Sequence, residues 1–268
     1  MSAANSEQPP TVTVVIPCYN HAAYVARAVA SVLDQDYPGI ELVVIDDGSQ
    51  DGSIAVLEAL AQERPFRLVV QANRGICRTL NRAVREFASG EWIAILASDD
   101  FWRSDKIRRQ MEALRETPGA RFCFSQAREF RDETQAEQGR VFPRRVLGGE
   151  VLERVFVRQH VPAGTMLFAR SLFDELGGFD EALREEDWDF VIRSAAAGPL
   201  CAVPEPLLYY RAHAGNTMRT AGRRRIFQQK AMILSKNMHL VSPWRWLLAI
   251  GVHFAHDIVL AALRRRGA

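Results

Sequence analysis

Short apolar runs alternate with stretches of helical periodicity through the first part of the chain. The first run, residues 11–16, is rich in β-branched side chains and predicts a strand that Pro17 ends. Later runs predict further strands at residues 41–45, 66–70 and 92–96. Between them, apolar spacing of three and four residues predicts helices from about Asn20, over 53–63 and over 79–87. This alternation is typical of βαβ units that build a parallel sheet.

Polar residues follow each predicted strand at its carboxyl end, in segments 18–20, 46–49, 73–75 and 98–100. The ligand crevice of an open parallel sheet lies outside the carboxyl ends of its strands, so we expect these segments to line one cleft. For Asp46 and Asp47 a simpler interpretation stays open, because Asp suits turns and helix caps without binding a ligand.

Asp99 and Asp100 form the acidic pair that points most directly to a ligand. Two adjacent carboxylates after a buried strand repel each other unless solvent or a cation compensates their charge. Mg²⁺ or Mn²⁺ is the natural partner, since such ions bind one or two carboxylates together with substrate phosphate oxygens. The sequence has neither a Gly-x-x-x-x-Gly-Lys loop nor a Gly-x-Gly-x-x-Gly turn after a strand, so a metal would have to handle a diphosphate.

Five segments together resemble the motifs of glycosyltransferase family 2, a family of inverting enzymes with the GT-A fold. In order they are VVIPCYN at 14–20, DDGSQDGS at 46–53, NRG at 73–75, ASDDFW at 97–102 and EDWD at 186–189. Each motif alone is weak, but all of them in the same order are specific. The resemblance implies an α/β fold: a GT-A-type, Rossmann-like nucleotide-binding sheet with helices on both faces, a less regular acceptor-side segment and C-terminal helices.

The resemblance also divides the chain. Residues 1–10 are polar and predicted to be disordered, and residues 11–217 are predicted to form the glycosyltransferase domain. Within that domain, the nucleotide-sugar half covers residues 11–105 and the acceptor half covers residues 106–217. Residues 218–268 remain as a C-terminal helical segment.

The resemblance assigns the donor site to named residues. It implies that nucleobase and ribose are held by Pro17, Tyr19, Asp47 and Arg74. It places Asp99 against the ribose or diphosphate and makes Asp100 a metal ligand. Many relatives carry an acidic residue two places before Asp99, where this chain has Ala97. A metal-independent variant therefore stays open beside the Mg²⁺ or Mn²⁺ site.

The acceptor half supplies the predicted base. By the resemblance, Asp187 takes the acceptor hydroxyl proton in a single in-line displacement, which needs one carboxylate opposite the leaving diphosphate. The other interpretation treats this acidic cluster as helix N-terminal charges favoured by the macrodipole. Residues 210–217 resemble a family segment that returns to the metal, so His213 is a candidate metal ligand, although a lone histidine equally suits a structural place. Arg211 and Glu186 are candidate contacts to the diphosphate or acceptor.

Composition narrows the partners and the compartment. The chain has 268 residues and a formal net charge of +2, which is too small to indicate nucleic acid as the principal partner. Its four cysteines lie far apart without a Cys-x-x-Cys pair, so neither a zinc site nor a disulfide framework is expected. The polar N-terminus lacks the basic start and apolar run of a secretory signal, which predicts a cytoplasmic protein.

Residues 244–266 show a helical apolar face that includes Trp244 and ends in a run of arginines. Asp257 argues against a spanning helix, because a carboxylate at mid-bilayer costs roughly 3 kcal/mol. One expectation is peripheral, interfacial contact with the inner face of an anionic membrane, where a lipid-linked acceptor would be found. The other is packing on the domain or on a second subunit of an oligomer.

Together these features predict a hexosyltransferase that moves a sugar from a nucleotide diphosphate donor to a hydroxyl acceptor. By resemblance the donor is a UDP-sugar, and the acceptor is a saccharide or lipid-linked molecule of surface polysaccharide or lipopolysaccharide synthesis. A sugar nucleotidyltransferase is one rival, but such enzymes usually carry a Gly-rich loop with Arg or Lys after the first strand, which residues 17–21 do not offer. A non-catalytic nucleotide-sugar binding module is the other rival, and it would be expected to lack Asp187.

Overall fold

The computed structural model describes residues 10–183, 186–213 and 223–253, and for residues 186 and 223–225 the backbone alone is described. The segment predicted to be disordered lies outside this description, apart from Pro10. The predicted glycosyltransferase domain is therefore covered almost throughout.

The described strands form one nine-stranded sheet. In chain order they are β1 (Val12–Cys18), β2 (Ile40–Asp46), β3 (Arg67–Val70), β4 (Trp92–Ile95), β5 (Phe101–Trp102), β6 (Phe122–Phe130), β7 (Arg140–Phe142), β8 (Leu167–Ala169) and β9 (Leu200–Arg211). Their order across the sheet is β3-β2-β1-β4-β8-β6-β9-β5, and β7 pairs with β6. The strands β1 to β4 are parallel, as the alternating pattern predicts, whereas β8 joins β4 antiparallel and opens a mixed half.

The described helices connect and cover these strands. They are α1 (Val25–Leu33), α2 (Ser53–Glu63), α3 (Ile76–Arg82), α4 (Lys106–Arg115), α5 (Leu152–Val157), α6 (Arg170–Glu175), α7 (Glu186–Ala196) and α8 (Arg223–Lys236). Residues 243–253 are also helical. The helix predicted over 79–87 begins earlier, as α3, and continues into a π-helical turn at Ala83–Phe87.

Helices pack on both faces of the sheet, and each face has its own core. Successive side chains of a strand point to opposite faces. Val14 and Ile16 of β1 accordingly belong to one core, with Val29 of α1 and Met111 of α4. Val15 belongs to the other core, which contains apolar residues of α3, α5, α6 and α7. The predicted α/β arrangement with helices on both faces is therefore confirmed.

Two boundaries at the end of β1 differ from the sequence prediction. Pro17 is predicted to end the first strand, but β1 continues to Cys18, which pairs with Asp46 of β2. The missing N–H of Pro17 removes no ladder bond, because the pairing of β1 with β4 stops at Val15. The helix predicted from about Asn20 begins at Val25, since Asn20 has a left-handed backbone with φ 56° that a right-handed helix does not accept.

Candidate functional site

The loop after β1 is tied to the loop after β2. Asn20 donates from its backbone N–H to Ser49 Oγ at 2.8 Å and accepts from the Gln50 N–H through Oδ1 at 2.8 Å. The His21 N–H donates to Ser53 Oγ at 3.0 Å. Asn is among the few non-glycine residues that adopt a left-handed backbone readily, and its side chain here fixes that turn. The two loops form one rigid edge above the sheet.

Pro17 and Tyr19 lie at this edge, where the resemblance places the nucleobase. Pro17 is half-buried, and its pairing with Ile45 holds it against β2. The Tyr19 side chain is 48% exposed. An exposed aromatic ring beside a cleft offers a stacking surface for a planar base. Their contact with a nucleobase stays a prediction.

Asp46 forms the turn that follows β2. Its Oδ1 accepts from the N–H groups of Gly48 at 3.1 Å and Ser49 at 2.8 Å. Gly48 has φ +81°, and a Cβ there would lie 2.9 Å from the backbone nitrogen of Asn73. The turn therefore requires glycine at this position. The two hydrogen bonds to Asp46 Oδ1 give this atom the role in a turn that the simpler interpretation expects. Its Oδ2 is buried and has no hydrogen-bond partner among the described residues.

Asp47 organises the loop after β3. Its Oδ1 accepts from Gln71 Nε2 at 2.7 Å and from the Arg74 N–H at 2.8 Å, and its Oδ2 accepts from the Gly75 N–H at 2.9 Å. Asp47 and Arg74 thus meet, as predicted, through the backbone of Arg74, whose side chain is exposed. Both oxygens of the buried carboxylate already accept from the protein, so Asp47 fixes the loop after β3.

Asp99 and Asp100 lie at the carboxyl end of β4 and are both buried. Asp100 Oδ1 accepts from the Arg211 N–H of β9 at 2.8 Å. Burial raises the pKa of Asp100 well above its usual range, and the charge of Asp99 raises it further. Two adjacent carboxylates in a buried turn favour a bound cation, which would compensate their negative charge.

One cluster of donor atoms above β4 suits a metal ion. A ring nitrogen of His21, a carboxylate oxygen of Asp99 and a ring nitrogen of His213 all lie within 4.8 Å of one another. His213 Nε2 is 2.9 Å from Asp99 Oδ2, and His21 Nδ1 is 2.8 Å from Ser98 Oγ. Ligand atoms on one ion at about 2.1 Å lie at most about 4.2 Å apart, so small side-chain adjustments would close this cluster around a cation.

Arg211 joins the end of β9 to the turn that carries the acidic pair. Its Nε donates to the backbone carbonyl of Asp99 at 3.0 Å, and its Nη2 donates to Glu133 Oε2 at 3.1 Å. Its guanidinium lies 4.8 Å from the ring centroid of Tyr24 and 4.7 Å from that of Phe130. The side chain predicted to meet a diphosphate therefore holds the Asp99 turn in place.

Asp187 lies in the first turn of α7 and is half-buried. Its Oδ2 accepts from Gln159 Nε2 at 3.1 Å, and its Oδ1 accepts from the Trp188 N–H at 2.7 Å. Burial raises the pKa of Asp187, and the hydrogen bond from Gln159 counteracts part of that shift. A carboxylate whose pKa is raised is a stronger base and is therefore suited to accept a proton. Glu186 begins the same helix, and its side chain lies outside the description.

The match to a known family extends from β1 to just beyond α6. Residues 13–177 match the family described as glycosyl transferase family 2. The chain belongs to glycosyl transferase family 2. This match spans the nucleotide edge, the Asp99–Asp100 turn and most of the acceptor half, so the predicted family is confirmed.

Curated relatives extend the family assignment. The succinoglycan biosynthesis protein ExoO of Rhizobium meliloti (strain 1021) is 34% identical over 215 residues, which are 76% of this chain and 61% of ExoO. The protein named "putative teichuronic acid biosynthesis glycosyltransferase TuaG" of Bacillus subtilis (strain 168) is 38% identical over 109 residues. These residues are 40% of this chain and 43% of TuaG. The chain thus spans 61% and 43% of these two family members.

Solved structures share the fold at low identity. S. aureus TarS 1–349 in complex with UDP-GlcNAc has a TM-score of 0.71 and 17% identity, over 91% of this chain and 71% of TarS 1–349. The mannosyltransferase PcManGT from Pyrobaculum calidifontis, in complex with GDP-Man and Mn²⁺, has a TM-score of 0.62 and 22% identity. The match covers 96% of this chain and 79% of the PcManGT chain. These neighbours are GT-A glycosyltransferases, so the GT-A fold predicted for this family member is confirmed.

The structure groups the candidate metal ligands differently from the family resemblance. Asp99 and His213 share the cluster, whereas Asp100 contacts the Arg211 backbone. His21 was not predicted as a ligand. The sequence signal that could have indicated it is the position of His21 directly after Asn20, in the loop at the carboxyl end of β1.

The helix over residues 243–253 buries one side against the core and exposes another. Ala249 is buried in the core that contains α7, while Trp244 is 70% exposed and Leu247 is 55% exposed. Residues 254–266, the rest of the predicted interfacial helix, lie outside the described residues. Within residues 10–183, 186–213 and 223–253, no helix is both long enough and apolar enough to cross a bilayer.

Proposed function

We propose that this chain transfers a sugar from a UDP-sugar to a hydroxyl group of a saccharide or lipid-linked acceptor, with inversion at the anomeric carbon. The observation that carries the proposal is the cluster of His21, Asp99 and His213 at the carboxyl end of β4, beside loops that Asp46 and Asp47 hold rigid. Such a cluster fits a cation that bridges protein and diphosphate. The names of ExoO and TuaG favour surface polysaccharide synthesis as the setting.

The nucleotide is proposed to lie along the edge formed by the loops after β1, β2 and β3. Tyr19 and Pro17 would face the base, and Asp47 would shape its pocket by holding the N–H groups of Arg74 and Gly75. Because the Asp47 oxygens already accept three hydrogen bonds, a base would meet this carboxylate as a fourth partner. TarS has been solved with UDP-GlcNAc and PcManGT with GDP-Man, so GDP is the comparison nucleotide for any test.

The acidic turn fits a Mg²⁺ or Mn²⁺ ion. We propose that Asp99 and His213 hold it, with Asp100 completing the predicted set from its buried place beside Arg211. When bound, the cation supplies neutralisation of the negative charge that builds on the leaving diphosphate. Arg211 keeps the Asp99 turn from moving as that charge builds, through its bonds to the Asp99 carbonyl and to Glu133.

Asp187 is the proposed general base. Its Oδ2 would take the proton of the acceptor hydroxyl while that oxygen attacks the anomeric carbon and the diphosphate leaves from the opposite face. The raised pKa of Asp187 supports this role, because it makes the carboxylate a better proton acceptor near neutral pH. Gln159 would hold the carboxylate in one orientation. The single displacement requires no covalent sugar intermediate.

The test is calorimetric titration of UDP and of GDP into the purified chain, with and without Mn²⁺. We expect UDP to bind and Mn²⁺ to strengthen that binding. Asp99→Asn and Asp100→Asn, measured separately, decide which carboxylate carries the metal effect, and the cluster predicts the larger loss for Asp99→Asn. Failure to bind either nucleoside diphosphate under any metal condition would contradict the transferase proposal and favour a different activity.

We also propose that the helix over residues 243–253 contacts an anionic membrane surface. The exposed side chains of Trp244 and Leu247 support this, because an apolar stripe with Trp suits the interface of a bilayer. The full chain should float with phosphatidylglycerol vesicles, and the double variant Trp244→Ser, Leu247→Ser should float less. Concentration-dependent dimerisation without flotation would instead favour a second subunit on this stripe.

A further inference from the structure

We propose that His21 is a ligand of the catalytic-site cation and that it biases the site toward Mn²⁺ and similar transition metals over Mg²⁺. This inference rests on the proposed function, since it assigns a further residue to the same cation. It differs from the family motifs, which supply the acidic turn and His213. His21 comes from the loop after β1, which is the strand next to β4 in the sheet.

The backbone leaves His21 little freedom. Asn20 has a left-handed backbone, and the His21 N–H donates to Ser53 Oγ at the start of α2. The next residue, Ala22, donates its N–H to Asp51 Oδ2 at 3.0 Å. These bonds hold the backbone of His21 against the loop after β2, and its ring lies beside Ser98 and the His213 ring.

The imidazole itself is oriented by a hydroxyl group. His21 Nδ1 lies 2.8 Å from Ser98 Oγ, and Ser98 is buried directly before the acidic turn. Metal-binding histidines commonly have their second ring nitrogen held by a carbonyl, carboxylate or other polar group, which sets the ring direction. With Nδ1 held by Ser98, the nitrogen offered to an ion is Nε2.

Three elements bring the ligand set together. His21 follows β1, Asp99 follows β4, and His213 follows β9. The ring centroids of His21 and His213 are 6.0 Å apart at an interplanar angle of 82°, and the His213 Nε2 is 2.9 Å from the Asp99 carboxylate. Two nearly perpendicular imidazoles beside one carboxylate can direct ring nitrogens at one point without a clash between the rings.

The chemistry of this ligand set decides the metal preference. Mg²⁺ prefers oxygen ligands and gives up its water reluctantly, whereas imidazole suits Mn²⁺ less than Zn²⁺ or Co²⁺ but better than it suits Mg²⁺. Asp99 and His213 alone would provide one nitrogen and one carboxylate. Adding His21 doubles the number of nitrogen ligands, so the preference for Mn²⁺ should depend on this residue.

A metal-free alternative explains part of the same geometry. His213 could bond Asp99 through Nε2 as a structural histidine, and His21 could likewise be a structural histidine that bonds Ser98. In that case the rings would bind no ion, and replacing His21 would leave metal binding unchanged. The two interpretations therefore differ in the magnetic environment of bound Mn²⁺.

The experiment is pulsed electron paramagnetic resonance of Mn²⁺ bound to the full chain with UDP, which detects coupling to imidazole nitrogen. We expect two coupled histidines in the wild type and one in His21→Ala or His21→Gln. Mn²⁺ affinity should fall about tenfold or more in both variants. Mg²⁺ affinity should change less, so the preference for Mn²⁺ should shrink. His239→Ala, at an exposed histidine near Lys236, is the matched control and should leave the signal unchanged.

The outcomes separate the two proposals. Unchanged nitrogen coupling and Mn²⁺ affinity in His21→Gln, a variant that keeps a polar side chain near Ser98, would overturn the role of His21 and leave the transferase proposal intact. A wild type that binds UDP equally with and without Mn²⁺ would overturn both metal assignments. A wild type that binds neither UDP nor GDP would overturn the proposed function itself.

Discussion

Asp99 and Asp189 are both buried carboxylates, but their surroundings compensate the charge in opposite ways. Asp189 Oδ2 accepts from Arg193 Nε at 2.8 Å and from Lys236 Nζ at 3.0 Å. Asp99 Oδ2 meets the imidazole of His213 at 2.9 Å, and no Lys or Arg side chain forms an ion pair with it in the described part of the chain. A buried charge needs a compensating partner. Asp189 has the cations of Arg193 and Lys236, whereas Asp99 has the imidazole of His213. Burial alone thus does not distinguish a functional acid from a structural one.

Asp187 and Asp189 show the same contrast within one helix. Asp189 adds a third partner, Asn237 Nδ2 at 2.8 Å, and anchors α8 against α7. Asp187 faces the neutral amide of Gln159, and burial raises its pKa. The sequence EDWD presents both acids alike, so the assignment of the base depends on what each carboxylate touches.

Asp187→Asn should produce the largest functional effect of any single change. Removing a general base typically lowers the rate by about 10²- to 10⁴-fold, which equals roughly 3 to 5 kcal/mol in the barrier. The amide keeps the shape of the side chain, so UDP binding should stay unchanged in calorimetry while release of UDP from a UDP-sugar in the presence of acceptor is nearly lost. Near-wild-type turnover in this variant would rule out Asp187 as the base.

Asp189→Asn should act on stability instead. The change leaves Arg193 and Lys236 without their buried partner, and such a loss destabilises by about 3 kcal/mol. The midpoint of urea unfolding should fall accordingly, and Mn²⁺-dependent UDP binding should survive at low temperature. The matched control is Asp180→Asn, which loses only a more exposed partner of Lys236 and should cost less than about 1 kcal/mol.

Lys106 extends the contrast to a buried cation. Its Nζ donates to Gln110 Oε1 at 2.6 Å and lies 3.9 Å from the ring centroid of Trp102. Burial lowers the pKa of Lys106 to about 7. Between pH 7 and pH 10 the unfolded chain therefore binds more protons at this residue than the folded chain, and this site makes stability rise with pH.

Lys106→Met should stabilise the protein by about 2 kcal/mol at pH 7 and remove that rise with pH. The reason is that replacing a buried charge by an apolar side chain of similar size avoids the desolvation cost. Urea unfolding at pH 7 and pH 9.5 measures both effects. Lys230→Met, at a half-buried lysine of α8, is the control and should leave the pH dependence as it is in the wild type. An equal slope in Lys106→Met would contradict a lowered pKa at Lys106.

The sequence predicts the parallel half better than the rest for a physical reason. Strands β1 to β4 are consecutive βαβ units, whose apolar runs and turns are local signals. In the acceptor half, β6 lies between β8 and β9, which come much later in the chain, so no local pattern reports the pairing.

The candidate site divides along the same line. Motif order places Asp99, Asp100, Asp187 and His213 at the ends of elements, which local patterns can indicate. Which acid of a pair faces the cleft is a different question. Asp100 turns toward the Arg211 N–H, a contact across 111 residues, and this leaves Asp99 beside His213. The role of His21 likewise depends on a contact with Ser98, 77 residues away.

The smallest predicted effect concerns Gln159 and isolates the orientation of the base from its chemistry. Gln159 Nε2 stabilises the ionised form of Asp187, so Gln159→Leu should raise the Asp187 pKa further. A general base works as the carboxylate, so the rate falls as pH drops through its pKa. The acid limb of the rate profile should therefore move to higher pH, while the rate on the alkaline plateau falls little.

Gln126→Leu, which removes a half-buried glutamine bonded to the Pro143 carbonyl, should leave that limb in place. If both variants lose rate equally at every pH, Gln159 supports the fold and does not tune the base.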